Sequence, residues 1–454
     1  MKKKISFLKR LQGVIPGGSH TYSKGHDQFS SNAPVIINKG KGSYLFDRLG
    51  NQYLDYGMGC RSVNIGYGES SINKAAYKEI CKGNNLTKPS HTELEAAENF
   101  VNLIDSADMV KFTKNGSSAV TAAVKLARAY TGRDIVLICE DNPFLSYDDW
   151  FIGSTVVKKG VPRQSLSLTK KFKYNDINSI NKLVKNYKNR IACVVMEPVT
   201  ENCPLIDKSE TCCMKAKCTK DFKYEDHFLK QVQKICNKNK IIFILDEMIT
   251  GFRWDLKGSQ HFFNIKPDLS TFGKSMANGF SLAAVCGRKD IMELGSVNIK
   301  KREKVFLLST THGAEMGALG AFLETLKFIK KNKVIEYNKF YGQNLIKYFK
   351  EIIFSLGLEN NFKVEGSASQ PIYKCLDING NISLDLKTLF LQEMAKNKIL
   401  IPWISICFRH KEAEIKKTLN SFEKSLIIYK KGLLSNVKKY LQGPSIKPVF
   451  RKYA

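Results

Sequence analysis

Two stretches of the sequence decide the fold: IIFILDEMITGFR at residues 241–253 and PDLSTFGKSMANGF at residues 267–280. The apolar run 241–245 predicts a buried strand, yet it ends in two adjacent carboxylates, Asp246 and Glu247. Lys274 follows in a turn that begins and ends with glycine. In open α/β sheets, ligands bind beyond the carboxyl ends of the strands. An acid at the end of a buried strand would therefore lie where such ligands bind.

Further apolar runs around this strand indicate the fold class. DIVLIC (134–139), IACVVMEP (191–198) and LAAVCGR (282–288) predict more buried strands, and residues 118–130 and 228–237 have the apolar spacing of helices. Alternating strands and helices are typical of an α/β domain with a largely parallel sheet. Residues 40–57, GKGSYLFDRLGNQYLDYG, predict a hairpin before this region, and new helices and strands follow it.

Length and composition limit the classes of function. A chain of 454 residues is long for one core, so we expect a large domain and a smaller one. The net charge of +30 is spread along the chain rather than clustered, which makes nucleic acid an unlikely partner. The sequence has no apolar run long enough to span a membrane. The basic start MKKKISFLKRLQGVIPGG lacks a signal-peptide core, so we expect a cytoplasmic protein.

The chain has twelve cysteines, and most of them lie in apolar runs that are typical of reduced core thiols. A different group occurs in the polar stretch ENCPLIDKSETCCMKAKC: Cys203, Cys212, Cys213 and Cys218. Four thiolates could bind a metal, but the spacing matches no paired C-x-x-C pattern. A metal site and an ordinary surface loop both remain open.

Asp246 and Lys274 allow two interpretations. They could form an ion pair across a cleft, or they could be the aspartate and the Schiff-base lysine of a pyridoxal phosphate site. The turn Asn115–Ser118 before a predicted helix could bind a phosphate at the helix N-terminus, or Asn115 could be an ordinary helix cap. A second turn of this kind, at Ser309, Thr310 and Thr311, precedes another predicted helix.

The order of motifs KNGSSA, MEP, LDEMITGFR, STFGKSMANGF and STTHGAEMGAL resembles the class III pyridoxal-phosphate aminotransferases, most closely the branch that contains glutamate-1-semialdehyde 2,1-aminomutase. The resemblance implies fold type I: a large domain with a mostly parallel seven-stranded sheet flanked by helices, plus a smaller α+β domain from the N- and C-terminal parts. The implied boundaries are an N-terminal segment at 1–60, the large cofactor-binding domain at 61–312 and the small domain at 313–454. A homodimer with shared active sites is also implied.

The same resemblance implies the chemistry. Lys274 would form the Schiff base with pyridoxal 5'-phosphate and move protons, while Asp246 would hold a proton on the pyridine nitrogen. The amino group of a small-molecule donor would move to or within an aldehyde or ketone through ketimine and pyridoxamine phosphate intermediates. The further cofactor-binding residues that it implies are Gly116, Ser117, Phe144, Glu197 and Thr310.

The chain departs from the family pattern at two places that bear on the substrate. Where many members have Tyr-His-Gly, this chain has Phe144 and Leu145, so the ring can stack but offers no hydroxyl. Lys24 aligns with the arginine that holds the substrate carboxylate in the aminomutase, and a lysine offers a point charge rather than a bidentate fork. The alternatives are the aminomutase reaction proper, giving 5-aminolevulinate, and an inactive relative that binds an acidic partner.

Overall fold

The computed structural model describes residues 2–142, 144–200, 204, 227–299 and 301–453. The chain forms two compact units. The small unit comprises the residues up to Glu69 together with Glu336–Arg451, and the large unit comprises Ser70–Ile335 and the residues from Lys452 onward. The domain boundaries implied by the resemblance, after residues 60 and 312, stay predictions.

The helices and strands follow one another along both units. The helices are α1 (Lys2–Val14), α2 (Met58–Arg61), α3 (Ser70–Ile80), α4 (His91–Leu103), α5 (Gly116–Thr131), α6 (Asp149–Ile152), α7 (Arg163–Leu166), α8 (Ile177–Asn186), α9 (Phe228–Asn239), α10 (Ser259–Phe262), α11 (Lys289–Met292), α12 (Met316–Asn332), α13 (Val334–Ser355), α14 (Leu384–Lys396) and α15 (Glu412–Leu433). The strands are β1 (Ile37–Lys41), β2 (Tyr44–Asp47), β3 (Gln52–Asp55), β4 (Met109–Thr113), β5 (Ile135–Cys139), β6 (Thr169–Phe172), β7 (Ile191–Met196), β8 (Ile242–Asp246), β9 (Leu269–Phe272), β10 (Ala283–Gly287), β11 (Phe362–Ser367), β12 (Gln370–Cys375) and β13 (Ile399–Leu400).

The large unit contains a seven-stranded sheet in the order β4-β10-β9-β8-β7-β5-β6. β10 runs antiparallel to both of its neighbours, and the pairs from β9 to β6 are parallel. β5, β7 and β8 are buried at every position. Continuous apolar runs suit a parallel sheet because helices cover both of its faces. The predicted seven-stranded, mostly parallel sheet is confirmed.

The register of the sheet brings three predicted site segments to one edge. Met196 at the end of β7 pairs with Leu245 on β8, and Asp246 pairs with Thr271 on β9. Glu197, Asp246 and the turn after Phe272 therefore all lie at the carboxyl edge of neighbouring parallel strands. This is the edge at which ligands bind in open α/β sheets.

The helices predicted at 118–130 and 228–237 are confirmed as α5 and α9, each slightly longer than predicted. α5 begins where the Asn115 side chain accepts a hydrogen bond from the backbone N–H of Ser118, and it ends at Gly132, which has a left-handed φ of 65°. Both ends follow the usual capping chemistry. The cap fixes the point at which the N-terminus of α5 leaves the end of β4.

The small unit has its own core. It contains a four-stranded sheet in the order β1-β2-β3-β13 and the antiparallel pair β11–β12. β2 and β3 pair antiparallel, which confirms the hairpin predicted at 40–57. Helices α13 and α15 meet where the rings of Phe349 and Phe422 stack with centroids 3.8 Å apart. In the described part of the chain, no helix is both long enough and apolar enough to cross a membrane.

Candidate active site

Asp246 ends β8 as a fully buried carboxylate. Its Oδ1 accepts hydrogen bonds from the backbone N–H of Met248 at 3.0 Å and from Thr271 Oγ1 at 2.9 Å. Within the described ranges, no hydrogen bond reaches the other oxygen, Oδ2. Burial raises the pKa of Asp246 to about 6, while the charge of Lys274 and the two hydrogen bonds oppose that rise. The carboxylate is thus held firmly by one oxygen.

Lys274 opens a short 3-10 turn, Lys274–Ala277, directly after β9 and Gly273. Its backbone has a φ of 43°, in the left-handed region that non-glycine residues rarely adopt. The turn is closed by a hydrogen bond from Met276 N to Gly273 O at 3.0 Å. The charge of Lys274 acts on buried Asp246, so the structure brings together the two residues that the sequence analysis paired.

Met248 joins these elements to the N-terminus of α5. A Cβ on Gly116 would lie 2.8 Å from Met248 Sδ, and a Cβ on Gly273 would lie 2.6 Å from the same atom. Real Cβ atoms do not approach that closely, so both positions require glycine unless Met248 moves. No sequence motif singles out Met248, because a methionine after a buried strand is typical of an ordinary core residue.

Asn115 is the N-cap of α5, which confirms one of the two interpretations of this turn. The two interpretations are compatible, since a capped helix of 16 residues still has its positive end at Gly116 and Ser117. Ser117 is buried, and its Oγ accepts a hydrogen bond from Tyr147 N at 3.3 Å. Ser118 Oγ lies 3.2 Å from the Tyr147 hydroxyl. Tyr147, which no sequence motif singles out either, therefore fixes the segment after β5 against this helix end.

Phe144 lies on that same segment. The residue is 46% exposed, and its ring and that of Phe151 form a T-shaped pair with centroids 5.8 Å apart. The adjacent Leu145 is buried. Glu197, by contrast, is a buried residue that directly follows β7 at the carboxyl edge of the sheet.

Thr310 lies on an exposed segment before α12. Leu308 and Ser309, just before it, have left-handed φ values of 64° and 46°. Thr310 lines a cavity of about 520 Å³ in the large unit together with Leu94, Phe112 and Met316.

Glu315 connects the segment that contains Thr310 to the turn before α5. Its carboxylate forms an ion pair with Lys114, which precedes the cap Asn115, and accepts a hydrogen bond from Asn84 Nδ2 at 3.2 Å. Burial lowers the pKa of Lys114. His312 Nδ1 lies 3.4 Å from Glu315 Oε1. This network explains how the cavity wall is held.

Glu247, the second carboxylate of the strand end, has a different environment. It is fully buried, and its Oε2 accepts hydrogen bonds from Thr250 Oγ1, Ser259 N and Ser259 Oγ at 2.5, 3.0 and 2.8 Å. Its Oε1 accepts one from Gln260 N at 2.8 Å. Burial raises its pKa and these bonds lower it. Glu247 therefore caps α10 and closes the loop after β8.

Lys24 is an exposed residue of the small unit, at the end of the short turn Tyr22–Lys24. Cys203, Cys212, Cys213 and Cys218 lie outside the described residues. Within the described ranges, no group of three or more His, Cys, Asp or Glu side chains could hold a metal ion.

A buried aspartate and a lysine at the carboxyl edge of this sheet, beside a helix N-terminus, define a pyridoxal-phosphate enzyme of fold type I. The family model described as aminotransferase class III matches residues 26–354. The chain belongs to this family, and its cofactor is pyridoxal 5'-phosphate.

Individual relatives and structures agree with this assignment. The glutamate-1-semialdehyde 2,1-aminomutase of Francisella philomiragia is 30% identical over 344 residues, which are 73% of this chain and 74% of that protein. The 3-aminobutyryl-CoA aminotransferase of Cloacimonas acidaminovorans is 25% identical over 95% of this chain and 99% of its own. A structure of the FumI protein of Sphingopyxis sp. MTA144 in its PLP internal aldimine form has a TM-score of 0.79 at 21% identity and covers 99% of both chains.

The residues present fit the cofactor on two observations. Asp246 Oδ2 receives no hydrogen bond from the described part of the chain, and a carboxylate in that state suits a protonated ring nitrogen. The second is the N-terminus of the 16-residue helix α5 at Gly116 and Ser117, because the positive end of a helix suits a phosphate. The protein is thus a pyridoxal-phosphate-dependent enzyme that acts on small molecules.

Proposed function

We propose that the protein transfers an amino group from a small-molecule donor to an aldehyde or ketone, with Lys274 and Asp246 as its catalytic residues. The observation that carries the assignment of these residues is the buried Asp246 carboxylate, which two hydrogen bonds hold by Oδ1 and which senses the charge of Lys274. A carboxylate presented in this way at the carboxyl edge of the sheet suits a cationic ring rather than a structural ion pair.

Four residues would hold the cofactor. Asp246 would accept the hydrogen bond of the ring nitrogen, and its burial strengthens that interaction because the local dielectric is low. The backbone N–H groups of Gly116 and Ser117 at the positive end of α5 would bind the phosphate. The exposed ring of Phe144 would cover one face of the cofactor ring.

When bound, pyridoxal phosphate supplies an aldehyde that condenses with amines and a protonated ring that accepts the electrons of a breaking C–H bond. The Lys274 amine would take the proton from the substrate carbon and deliver it at the position where the reaction requires it. Asp246 would remain negatively charged beside the ring and so favour the protonated nitrogen throughout. Glu197, buried at the neighbouring strand end, would contact the ring substituents.

We also propose that the active enzyme is a homodimer in which Thr310 reaches the phosphate of the neighbouring subunit. The proposal is supported by the exposed position of Thr310 beside the 520 Å³ cavity and by the exposed apolar side chains of Leu86, Leu94 and Phe306 in the large unit. Leu86 and Leu94 line the cavity, and exposed apolar side chains grouped in this way are typical of an interface.

Mixing two inactive variants tests the shared site. Subunits with Lys274→Ala and subunits with Thr310→Ala each carry one defect, and a mixed dimer would contain one site with neither. Refolded mixtures are expected to recover activity that neither variant has alone. Thr311→Ala, which changes the adjacent hydroxyl in the same cavity wall, is the matched control. A mixture no more active than the two variants measured separately would argue against a site shared in this way.

A second candidate function is the intramolecular amino shift of glutamate 1-semialdehyde to 5-aminolevulinate, because the Francisella relative at 30% identity carries the aminomutase name. Lys24 in place of the aminomutase arginine argues against it. Purified protein that forms 5-aminolevulinate from glutamate 1-semialdehyde without an amino donor would select the aminomutase.

The test of the main proposal is a screen of amino donors and acceptors that follows the visible absorbance of the cofactor-loaded protein. We expect one class of donor to change that absorbance and a carbonyl acceptor to restore it. If none of the donors changed the absorbance of the cofactor-loaded protein, aminotransfer would be excluded. Residence in the cytoplasm and a substrate role for Lys24 stay predictions, as does metal binding by the four cysteines of the 203–218 stretch.

A further inference from the structure

The main chain at Lys274 is strained. Lys274 has a φ of 43°, and Asn278 at the end of the same turn has a φ of 44°. Side chains with a Cβ avoid this region because the Cβ approaches the carbonyl oxygen that follows. Strained residues persist only where the surrounding structure over-determines them, and they concentrate at functional sites.

A second strained residue lies in the loop after β8. Phe252 has a φ of 58°, although it is bulky and fully buried. Its ring packs on Phe272, the last residue of β9, with centroids 5.7 Å apart. Gly251, which precedes it, lies so close to Phe272 that a Cβ would be 2.6 Å from Phe272 Cδ1. The loop is therefore pressed against the strand that leads to Lys274.

One hydrogen bond connects the two strained segments. Arg253 follows Phe252, Ser275 follows Lys274, and Arg253 Nη2 donates to Ser275 Oγ at 2.9 Å. Arg253 Nε also donates to the backbone oxygen of Ile249 at 3.2 Å, so the same guanidinium spans the loop and the turn. Both residues are buried, Arg253 at 3% exposure and Ser275 at 0%. A planar guanidinium with fixed donors suits such a brace better than a flexible ammonium group.

We propose that Arg253 and Ser275 are positioning residues that hold Lys274 in its left-handed conformation and so fix the direction in which its amine leaves the turn. This inference rests on the proposed role of Lys274. A buried guanidinium needs hydrogen-bond partners in any protein, so a purely structural role is the alternative. The two roles differ in their effects. Residues with a structural role stabilise the folded state, whereas positioning residues maintain the rate of the step that Lys274 performs.

The test compares Ser275→Ala with Ser106→Ala in the cofactor-loaded enzyme. Ser106 is a matched control because it is also buried in the large unit and its hydroxyl also bonds a side chain, Gln260 Oε1, at 2.6 Å. We expect Ser275→Ala to lower kcat by at least about tenfold with KM for the amino donor within about twofold, because misplacing a reacting group by a fraction of an ångström is costly. Ser106→Ala is expected to leave both constants within about twofold of the wild type.

Hydrogen–deuterium exchange supplies a readout that does not depend on activity. In the unloaded protein, the amides of residues 274–278 are expected to exchange faster in Ser275→Ala than in Ser106→Ala. Equal exchange in these two variants, or a kcat for Ser275→Ala within about twofold of the control, would overturn the positioning role. If Ser275→Ala does not fold, Arg253→Lys, which keeps the charge but loses the fork, is judged by the same criteria.

The exchange experiment also separates this inference from the proposed function. A wild-type protein that transfers no amino group from any donor would refute the proposed function. The exchange comparison would still decide whether Arg253 and Ser275 hold the turn.

Discussion

The strand end at Asp246 and the loop that begins at Glu247 contain adjacent buried carboxylates with opposite environments. Asp246 is bonded through one oxygen and lies at the carboxyl edge of the sheet beside the charge of Lys274. Glu247 uses both oxygens to accept four hydrogen bonds from its own loop. Burial raises the pKa of both groups.

The difference distinguishes a buried carboxylate that can bind a ligand from one that only stabilises the fold. A buried carboxylate that its own fold fully satisfies stabilises that fold, since removing its charge leaves buried donors without a partner. A buried carboxylate with an oxygen left for something else costs stability until that partner binds. Asp246 is of the second kind, and Glu247 is of the first.

The largest effect is expected from Asp246→Asn, an isosteric change that removes the charge that we propose to lie beside the cofactor ring. We expect kcat to fall by roughly 10²–10³-fold, the size typical of losing one preorganised electrostatic contact. The unfolding free energy of the unloaded protein is expected not to fall, because a buried charge has been removed. Steady-state kinetics with a urea titration of the same samples measures both quantities. Wild-type kcat in Asp246→Asn would remove Asp246 from the mechanism.

Glu247→Gln is the matched change one residue along, and it is expected to act mainly on stability. The amide group would place donor hydrogens against the donors of Ser259, Gln260 or Thr250. We expect the unfolding free energy to fall by roughly 2–4 kcal/mol, measured by urea denaturation. If Glu247→Gln instead abolished activity at unchanged stability, the comparison between the two carboxylates would be reversed.

The raised pKa of Asp246 predicts a pH dependence in the unloaded protein. Between the ordinary value of 3.8 and about 6, the folded state holds a proton that the unfolded state has released, so this contribution to stability is present below pH 4 and is lost as pH rises through 6. The loss amounts to roughly 3 kcal/mol in total. Urea midpoints from pH 4 to pH 7 should therefore decline more in the wild type than in Asp246→Asn. Parallel curves would contradict the raised pKa.

A smaller effect is expected from Gly116→Ala. The new Cβ would lie 2.8 Å from Met248 Sδ, and a methionine side chain can shift to relieve part of the overlap. Overpacking of this size costs about 1–3 kcal/mol, and a shift of the start of α5 that relieves it would weaken the phosphate contacts, so the cofactor dissociation constant should rise about tenfold. Adding Met248→Val, which shortens the opposing side chain, should recover part of the affinity. Unchanged affinity in Gly116→Ala would show that the cofactor does not depend on this close packing.

The carboxyl edge of the sheet at Asp246 could be predicted from the sequence, because an acid at the end of a buried strand is unusual in an ordinary core. It could also place the helix N-terminus at Gly116, since the cap and the apolar period are local features. Met248 and Arg253 could not be found in the same way. Methionine after a strand is usual in a core, and the partner of Arg253 is 22 residues away, so only the folded arrangement of the loop and the turn brings the two together. Any contact of Thr310 with a neighbouring site depends on a second chain.

The central claim is that Lys274 is the residue that bonds to the cofactor. The direct measurement is to reduce the pyridoxal-phosphate-loaded protein with borohydride, digest it, and locate the added mass by mass spectrometry, with Lys274→Ala as the control. The account predicts that the cofactor mass is found on the peptide that contains Lys274 and that the control retains no cofactor after denaturation. Cofactor attached to another lysine, or equal labelling of the wild type and Lys274→Ala, would contradict it.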